Sequence, residues 1–483
     1  MQHTMKVHSL SLAMAAASLA VLSACAPLGP DYQRPAPLPN ITSERTALDG
    51  PLAQYKEAAK LLKPATNDPA ATAGAPTSDW WRAFADPGLD ALMSEVAAGN
   101  QNIAQAEARY RQALASLQQS QAGQWPTLGS NASATRSSQG GAAGRSTATA
   151  LSASLAASWE LDLWGRVRRS IEAGSASAAA SAADLAATTL SLRAQLATNY
   201  GSLRSLDAQR ALLEDAVEAY ERSLKLTQNR YDAGVVARSD VAQAQLQLLN
   251  ARAQLIDTGN QRAALEHAIA ILLGRVPSAF SLERSETYAL TLPPVTAAVP
   301  SELLRRRPDV IAAERRMAAA NAQIGVAVAA YYPSITLSGS FGQRGATVAD
   351  LLSLPNRFWS VGPALALSLF DGGARDAARA QAVAAYDQTV AAYRQTVLTA
   401  IGEVEDNLAA QRVLADELAV QRQAVQAAQE ALTIAMNQYK AGTVSYLSVV
   451  TAQTAEYSAR RSELALRSQQ FSATVALIRA LGG

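Results

Sequence analysis

Four stretches of this chain, 112–135, 146–159, 317–343 and 358–370, contain no Asp, Glu, Lys or Arg. Each holds a piece of about ten residues in which apolar and small polar side chains alternate, the length and pattern of a tilted strand in an outer membrane barrel. Leu151, Ala153, Leu155, Ala157 and Trp159 alternate with Ser152, Ser154, Ala156 and Ser158. Ile335, Leu337, Gly339 and Phe341 alternate with Thr336, Ser338 and Ser340, and Pro363, Leu365, Leu367 and Leu369 with Ala364, Ala366 and Ser368. The windows pair as hairpins around Gly140-Gly141 and around residues 344–357. A soluble sheet with one buried face shows the same alternation, but the charge-free polar face favours membrane. Four strands cannot close a barrel, since the smallest have about eight, and lipid does not tolerate an open sheet edge. If these strands span a membrane, several chains must therefore share one barrel.

The chain also repeats itself. NRYDAGVVARSDVAQAQ (229–245) aligns without gaps to NQYKAGTVSYLSVVTAQ (437–453), with Asn229/Asn437, Tyr231/Tyr439 and Gly234/Gly442 among the identities. Trp125-Pro126 answers Tyr332-Pro333, and Gly165 answers Gly373. Two copies of a unit of roughly 200 residues are implied. Between Gly165 and Tyr231 there is no proline, and a heptad frame fits residues 185–231. Its seams are Leu185, Leu192, Asn199, Leu206, Leu213, Tyr220, Thr227 and Thr189, Leu196, Leu203, Arg210, Val217, Leu224, Tyr231. Such a frame predicts a coiled-coil-like rod of roughly 100 Å at 1.5 Å per residue. Val397, Ile401, Val404, Leu408, Leu418, Val425, Leu432 and Met436 repeat the style in the second copy. Gly234 and Gly442 read as helix stops in the left-handed conformation. Ser239 or Asp240, and Ser445 or Ser448, are available to cap the returning helices. A single helix is predicted from Pro87 to about Ala122.

Composition and the N-terminus narrow the function. Aromatics are only 5% of the chain, which suits long, closely packed helices better than a wide core. A net charge of +2 gives no strong pull on nucleic acid. Arg305-Arg306-Arg307 before Pro308-Asp309 reads as a polar approach to a helix with Pro in its first turn. Lys6 and the uncharged run Val7–Leu22 form a signal peptide over residues 1–24, and Leu22-Ser23-Ala24-Cys25 resembles a bacterial lipobox. Cys25 is the chain's one cysteine and is expected to carry lipid, with Ala26 resembling the outer-membrane sorting choice. Residues 25–78 form an extended tether, nine prolines falling between 26 and 78. After cleavage His267 is the last histidine, read as helix packing. That leaves no Cys/His dyad, zinc set or Ser/His/Asp triad, and no phosphate loop. Glu403, Glu405 and Asp406 read as a solvated helix face. No catalytic residue, metal or cofactor beyond the covalent lipid is expected.

Cys25 followed by Gly29-Pro30-Asp31-Tyr32-Gln33-Arg34-Pro35, then Trp81, Phe84, Asp86-Pro87 and Leu89, Arg307-Pro308-Asp309-Val310 and the two Tyr-x-x-Gly tips resemble the TolC-like outer membrane factors, in their lipoprotein subclass. The fold expected is mainly α with a membrane β part: two tandem repeats, each giving two strands and long coiled-coil-like helices. The first repeat is 79–273, with a strand hairpin at 126–160 and a tip at 232–238. The second is 301–480, with a hairpin at 333–370 and a tip at 440–446, and an equatorial connector at 274–300 joins them. The resemblance implies a homotrimer whose twelve strands form one barrel, continued by a periplasmic α-helical barrel. It implies a passive exit duct of a tripartite efflux system for drugs or other small toxic compounds. The partners implied are a periplasmic adaptor, an inner-membrane RND-type transporter and outer membrane lipid. The same fold serves type I protein secretion, and a coiled-coil surface lipoprotein without a pore is the reading from a different class.

The resemblance further places a periplasmic gate at Asp240, Tyr439, Ser448 and Thr451. Tyr439 would bond Asp240 on a neighbouring hairpin, or else be a seam residue of its own coiled coil. Relatives carry aspartate where this chain has Thr451, and some where it has Ser448, so cation selectivity is expected to be weaker here. Gly234, Val235, Gly442, Thr443 and Val444 are the expected adaptor-docking residues, as exposed apolar tips.

Overall fold

The computed structural model describes residues 27–34, 79–141, 144–285, 292–293, 306–351 and 353–483. Cys25, the signal segment, most of the proline-rich tether and about half of the connector, residues 286–291 and 294–300, fall outside them. The elements are α1 (Pro87–Gly99), α2 (Gln101–Ala122), β1 (Thr127–Gly141), β2 (Gly144–Leu161), α3 (Arg166–Asp232), α4 (Arg238–Leu272), α5 (Pro308–Ala329), β3 (Ser334–Gly345), the one-turn α6 (Val348–Leu351), β4 (Arg357–Ala366), α7 (Ala374–Ala441) and α8 (Tyr446–Ala480). The repeat is plain in the lengths: α3 and α7 have 67 and 68 residues, and α4 and α8 have 35 each. Among the described residues no helix is long and apolar enough to cross a membrane.

The chain forms two compact units. The boundary cuts across the repeats, so each unit draws on both copies. A repeat that cannot bury its apolar face alone must pack on another copy.

The first unit holds the sheet, the adjoining parts of α2, α3, α5 and α7, and the N-terminal residues 27–34. All four strands are antiparallel in the order β1-β2-β3-β4. The register puts Leu155 opposite Phe341, Trp159 opposite Leu337, Phe341 opposite Trp359 and Ile335 opposite Leu365. Directly opposed residues share a face, so one face carries Leu151, Leu155, Trp159, Ile335, Leu337, Phe341, Trp359, Val361 and Leu365. The other carries serines that meet across the strands, with Ser133 and Ser152 hydroxyls 2.8 Å apart and Ser340 and Ser360 likewise. The alternation predicted for the last window stops early. β4 ends at Ala366, leaving Leu367, Leu369 and Phe370 outside the ladder and exposed.

The second unit contains the main apolar core: Trp80, Trp81 and Phe84 with Leu89, Met93, Val96, Leu196, Tyr200, Leu203, Ile269, Phe471 and Val475. Phe84 and Phe471 rings are 4.8 Å apart. Asp86 caps α1, accepting from the amides of Gly88 (2.8 Å) and Leu89 (3.0 Å), with Pro87 in the first turn. The same carboxylate accepts the Tyr200 hydroxyl at 2.9 and 3.0 Å, tying the helix start to α3. The heptad seams hold where they face this unit, with Leu196, Leu203, Leu206, Leu213 and Tyr220 buried. Arg262 and Arg204 bring the buried Asp207 carboxylate 2.8 and 3.3 Å contacts, and they also donate to the carbonyls of Leu282 and Glu283. That pins the first part of the connector against α3 and α4.

Four details differ from the sequence reading. The predicted single helix 87–122 breaks at Asn100, whose backbone is extended. Its side chain accepts from the amides of Asn102 and Ile103 and donates to the Leu272 carbonyl at 2.7 Å, so it starts a new helix and fastens it to α4. His267 is exposed, not packed. Ala237 and Ser445 occupy the N-cap positions of α4 and α8, and neither contributes a side-chain cap. Arg307 is buried, not a solvated approach.

The shared Asp86 carboxylate yields a test. Asp86→Ala removes an N-cap, worth about 0.5–2 kcal/mol, and the charge-assisted Tyr200 bond, worth about 1.5–3 kcal/mol. Tyr200→Phe removes the second alone. In thermal melts in detergent, Asp86→Ala is expected to lower the melting temperature clearly more than Tyr200→Phe does.

Candidate gate and docking residues at the helix tips

Both tips close by the same backbone device. At the end of α3, the Val235 amide donates to the Arg230 carbonyl (2.9 Å) and the Gly234 amide to Tyr231 (2.8 Å), with Gly234 at φ +72°. At the end of α7, Thr443 donates to Gln438 (3.0 Å) and Gly442 to Tyr439 (3.0 Å), with Gly442 at φ +78°. In each pair the bond that spans five residues satisfies a helix-end carbonyl across a left-handed residue, which is the reason for glycine. Gly234, Val235, Gly442 and Thr443 are exposed; Val444 is half-buried, where it packs on a small core.

That core consists of Tyr439, Tyr446, Val449 and Ala244, flanked by Leu224, Leu226, Met436 and Val450. Tyr439 and Tyr446 meet edge to face at 5.4 Å. The Tyr439 hydroxyl lies 3.3 Å from the Thr227 hydroxyl on α3. Arg230 stands over the Tyr439 ring at 4.6 Å and donates to the Tyr439 carbonyl. One residue thus fastens the first tip to the second by a cation–π contact and a hydrogen bond. Behind the core, Gln453 donates to Ser223, Gln247 to Thr454 and Tyr457 to Gln254, linking the returning helices and α3. Burial raises the Tyr446 pKa, and Asp240 is among the charges adding to it.

The sequence-predicted gate residues are spread over this tip. Tyr439 is buried at 2% exposure, its hydroxyl beside Thr227. Asp240 is half-buried in the first turn of α4, and its carboxylate accepts from Ser239 at 3.5 Å. Ser448 and Thr451 are exposed on α8, with the Thr451 hydroxyl donating back to Leu447. Arg230 and Tyr446 were missed by the sequence reading. The signal that could have found Arg230 is its place one turn before the first Gly, where the second copy has Gln438.

A second polar cluster sits at the start of α5. The Arg307 guanidinium binds Asp309 (2.7 and 3.1 Å), Glu403 (2.9 Å) and the Ala480 carbonyl (3.0 Å). Glu403 also faces Arg479 at 3.6 Å, so it is an ion-pair partner and not part of a free solvated face. Burial alone would push the Asp309 carboxyl up; Arg307 outweighs it and holds the group below the ordinary aspartate range.

Strands with an apolar face and a serine face, handed on to helices of 67 and 68 residues with duplicated tips, define an outer membrane channel subunit. The sequence profile of the family described as "Outer membrane efflux protein" matches residues 92–275 and again 299–483, the two repeats. The chain is 30% identical over 479 residues to the pyoverdine export outer membrane protein OpmQ of Pseudomonas aeruginosa, covering 97% of each. It is 32% identical over 486 residues to the toluene efflux pump outer membrane protein TtgF of Pseudomonas putida, covering 99% of this chain and 97% of the relative. Among solved structures, the outer-membrane channel OprN superposes with a TM-score of 0.85 at 31% identity, covering 95% of this chain and 99% of that one. The channel CusC gives 0.83 at 26%, covering 94% and 99%. The chain belongs to the outer membrane efflux protein family. It is a transport duct of the outer membrane with its helical part in the periplasm, not an enzyme.

The Arg307 cluster predicts acid sensitivity. Asp309's folded pKa lies below its unfolded value near 3.9, so its stabilisation is complete above that value and is lost as pH falls toward the folded one. Arg307→Met is expected to cost about 2–3 kcal/mol, less than the ~3–5 of a fully buried pair, because Asp309 and Glu403 reach water. Melts at pH 6, 4 and 3 should show a lower melting temperature for the variant and a shallower decline with acid than in the parent.

Proposed function

We propose that three copies of this chain share one β-barrel and one periplasmic helical tunnel, and that this assembly is the exit duct of a tripartite efflux system for small toxic organic compounds. The observation that carries the reading is the sheet itself: four strands in the order β1-β2-β3-β4 leave the outer edges of β1 and β4 to be paired by further strands. In lipid those edges must be paired, and the partners on hand are the opposite edges of other copies. Barrel closure by copies of one chain is a head-to-tail ring. Transport in such a duct is passive, so energy comes from an inner-membrane transporter reached through a periplasmic adaptor. The relatives' names, pyoverdine export and toluene efflux, support small-molecule cargo. The chain is anchored by lipid on Cys25 as well as by its strands. No other cofactor takes part.

The periplasmic gate lies at the tips. Arg230, Tyr439 and Tyr446 hold the two hairpins of one protomer together. Asp240, Ser448 and Thr451 face the constriction formed with neighbouring copies. Without carboxylates at Ser448 and Thr451, the ring draws cations weakly. The exposed turns Gly234-Val235 and Gly442-Thr443-Val444 dock the adaptor.

Deleting the gene and measuring which compounds become more toxic tests the function; unchanged tolerance to all small organic toxicants would overturn it. Heat-resistant trimers on unboiled gels and single-channel conductance test the assembly. In planar bilayers, Thr451→Asp is expected to strengthen block by trivalent cations on the tip side several-fold. Arg230→Ala should raise the open fraction with no change in single-channel conductance, since it frees the tip without altering the bore.

A further inference from the structure

The charges of the sheet are few, and the register sorts them by face. Among the strand residues whose side chains are described, the charged ones are Arg136, Glu160, Arg344 and Arg357. Arg357 stands opposite Gln343, two positions from Phe341, and Arg136 opposite Thr149, two positions from Leu151. Both therefore take the apolar face. Arg344 stands opposite Ser152 and Glu160 opposite Thr336, which puts these two on the serine face. Glu160 lies at the helix end of β2, where Arg166 neutralises it through bonds of 2.8 and 2.5 Å. Arg344 is the last residue but one of β3, at the opposite end of the sheet.

Arg344 is exposed, and among the described residues no carboxylate pairs with it. Its guanidinium lies over the Phe358 ring, 5.4 Å from the ring centre. The carboxylate nearest in sequence, Asp350, is occupied elsewhere. It accepts the Thr347 amide at 3.1 Å and the Thr347 hydroxyl at 2.8 Å. A Cβ on Gly345 would lie 2.6 Å from the Asp350 Cβ. Successive Cβ atoms point to opposite faces, so α6 folds back against the side opposite to Arg344.

With the apolar face toward lipid, the serine face lines the bore. A barrel of twelve strands spaced about 4.8 Å apart and tilted about 40° has a radius of about 12 Å. An arginine side chain spans roughly half of that radius. Each guanidinium then comes within about 10 Å of the axis, one Debye length at about 0.1 M salt. Three such charges on one level overlap in field across the whole opening, with no carboxylate described on that face to offset them.

We propose that Arg344 is a specificity-determining residue of the duct: three copies form a cationic ring at the outer mouth, which favours small organic anions, aromatic carboxylates above all. The guanidinium fork matches a carboxylate, and the Phe358 ring beside it offers an apolar surface to the aromatic part. The inference rests on the trimeric exit-duct reading.

The test compares the parent, Arg344→Gln, Arg344→Lys and Arg357→Gln as trimers in planar bilayers. Arg357→Gln removes a charge from the opposite face and serves as the control. Heat-resistant trimers on unboiled gels first show that each variant assembles; Arg344→Thr replaces Arg344→Gln should that one fail. In a KCl gradient near 0.1 M, the chloride-to-potassium permeability ratio is expected to fall about two-fold or more in Arg344→Gln. It should stay near the parent value in Arg344→Lys and Arg357→Gln. The difference should vanish near 1 M salt, where the Debye length is about 3 Å. Benzene-1,3,5-tricarboxylate added on the side opposite the tips should block the parent several-fold more strongly than Arg344→Gln. Conducting trimers with the same permeability ratio and the same block in the parent and Arg344→Gln, or an equal shift in Arg357→Gln, would overturn the inference and leave the duct reading intact. A chain that forms no trimer or never conducts would overturn the duct reading, and the inference with it.

Discussion

A strand inside a bilayer has no water to satisfy an unpaired amide, so the sheet's two outer edges govern everything built on it. β1 offers 15 residues and β4 only 10, and both belong to one sheet. A partner that completes one edge must leave the other complementary, which a copy of the same chain does. The duplication accounts for the number of strands: one hairpin per repeat, joined through β2 and β3. A single repeat would supply two strands, and an isolated hairpin is marginal even in water.

The same duplication produced two nearly equal helical hairpins with the same glycine turn, and then let their side chains diverge. The backbone closure is identical at Gly234 and Gly442, since any other residue there must adopt a positive φ at a cost. What differs is the packing one turn earlier. Arg230 in the first copy covers Tyr439 in the second, while Gln438 answers Arg230 in sequence. Symmetric backbones with asymmetric contacts allow one hairpin to grip the other at its end.

Most of the architecture was legible in the sequence because it is periodic. Period two marked the strands and the face of each, and the 3.5-residue repeat marked the rods. Glycine after a tyrosine marked the turns. What escaped is what depends on contacts distant in sequence. Asn100 reads as an ordinary helical residue until its amide is seen on the Leu272 carbonyl. Arg307 reads as a solvated charge because its partners Glu403 and Ala480 lie in the other arm of the repeat. His267 reads as packed because its neighbours in sequence are apolar, although it is exposed on α4. At the tip, Tyr439 was legible as a special residue, but its partners Thr227 and Arg230 were not, since they lie some 200 residues away.

These distant polar contacts share a physical cause. A duct wall that is thin and built from Ala-rich helices cannot bury a wide apolar core, and aromatics make up only 5% of the chain. Small-residue seams hold helices close but tolerate sliding, because one alanine stripe resembles the next. Buried polar groups do not tolerate it. A one-turn slip of α4 against α3 would leave Asp207, fully buried, without Arg262, and an unpaired buried charge costs far more than a lost alanine contact. Asp86 with Tyr200, Asn100 with the Leu272 carbonyl, and Arg307 with Glu403 set the register at other joints in the same way. Apolar seams give the wall its cohesion, and a few satisfied buried charges determine which of its many similar packings is the native one.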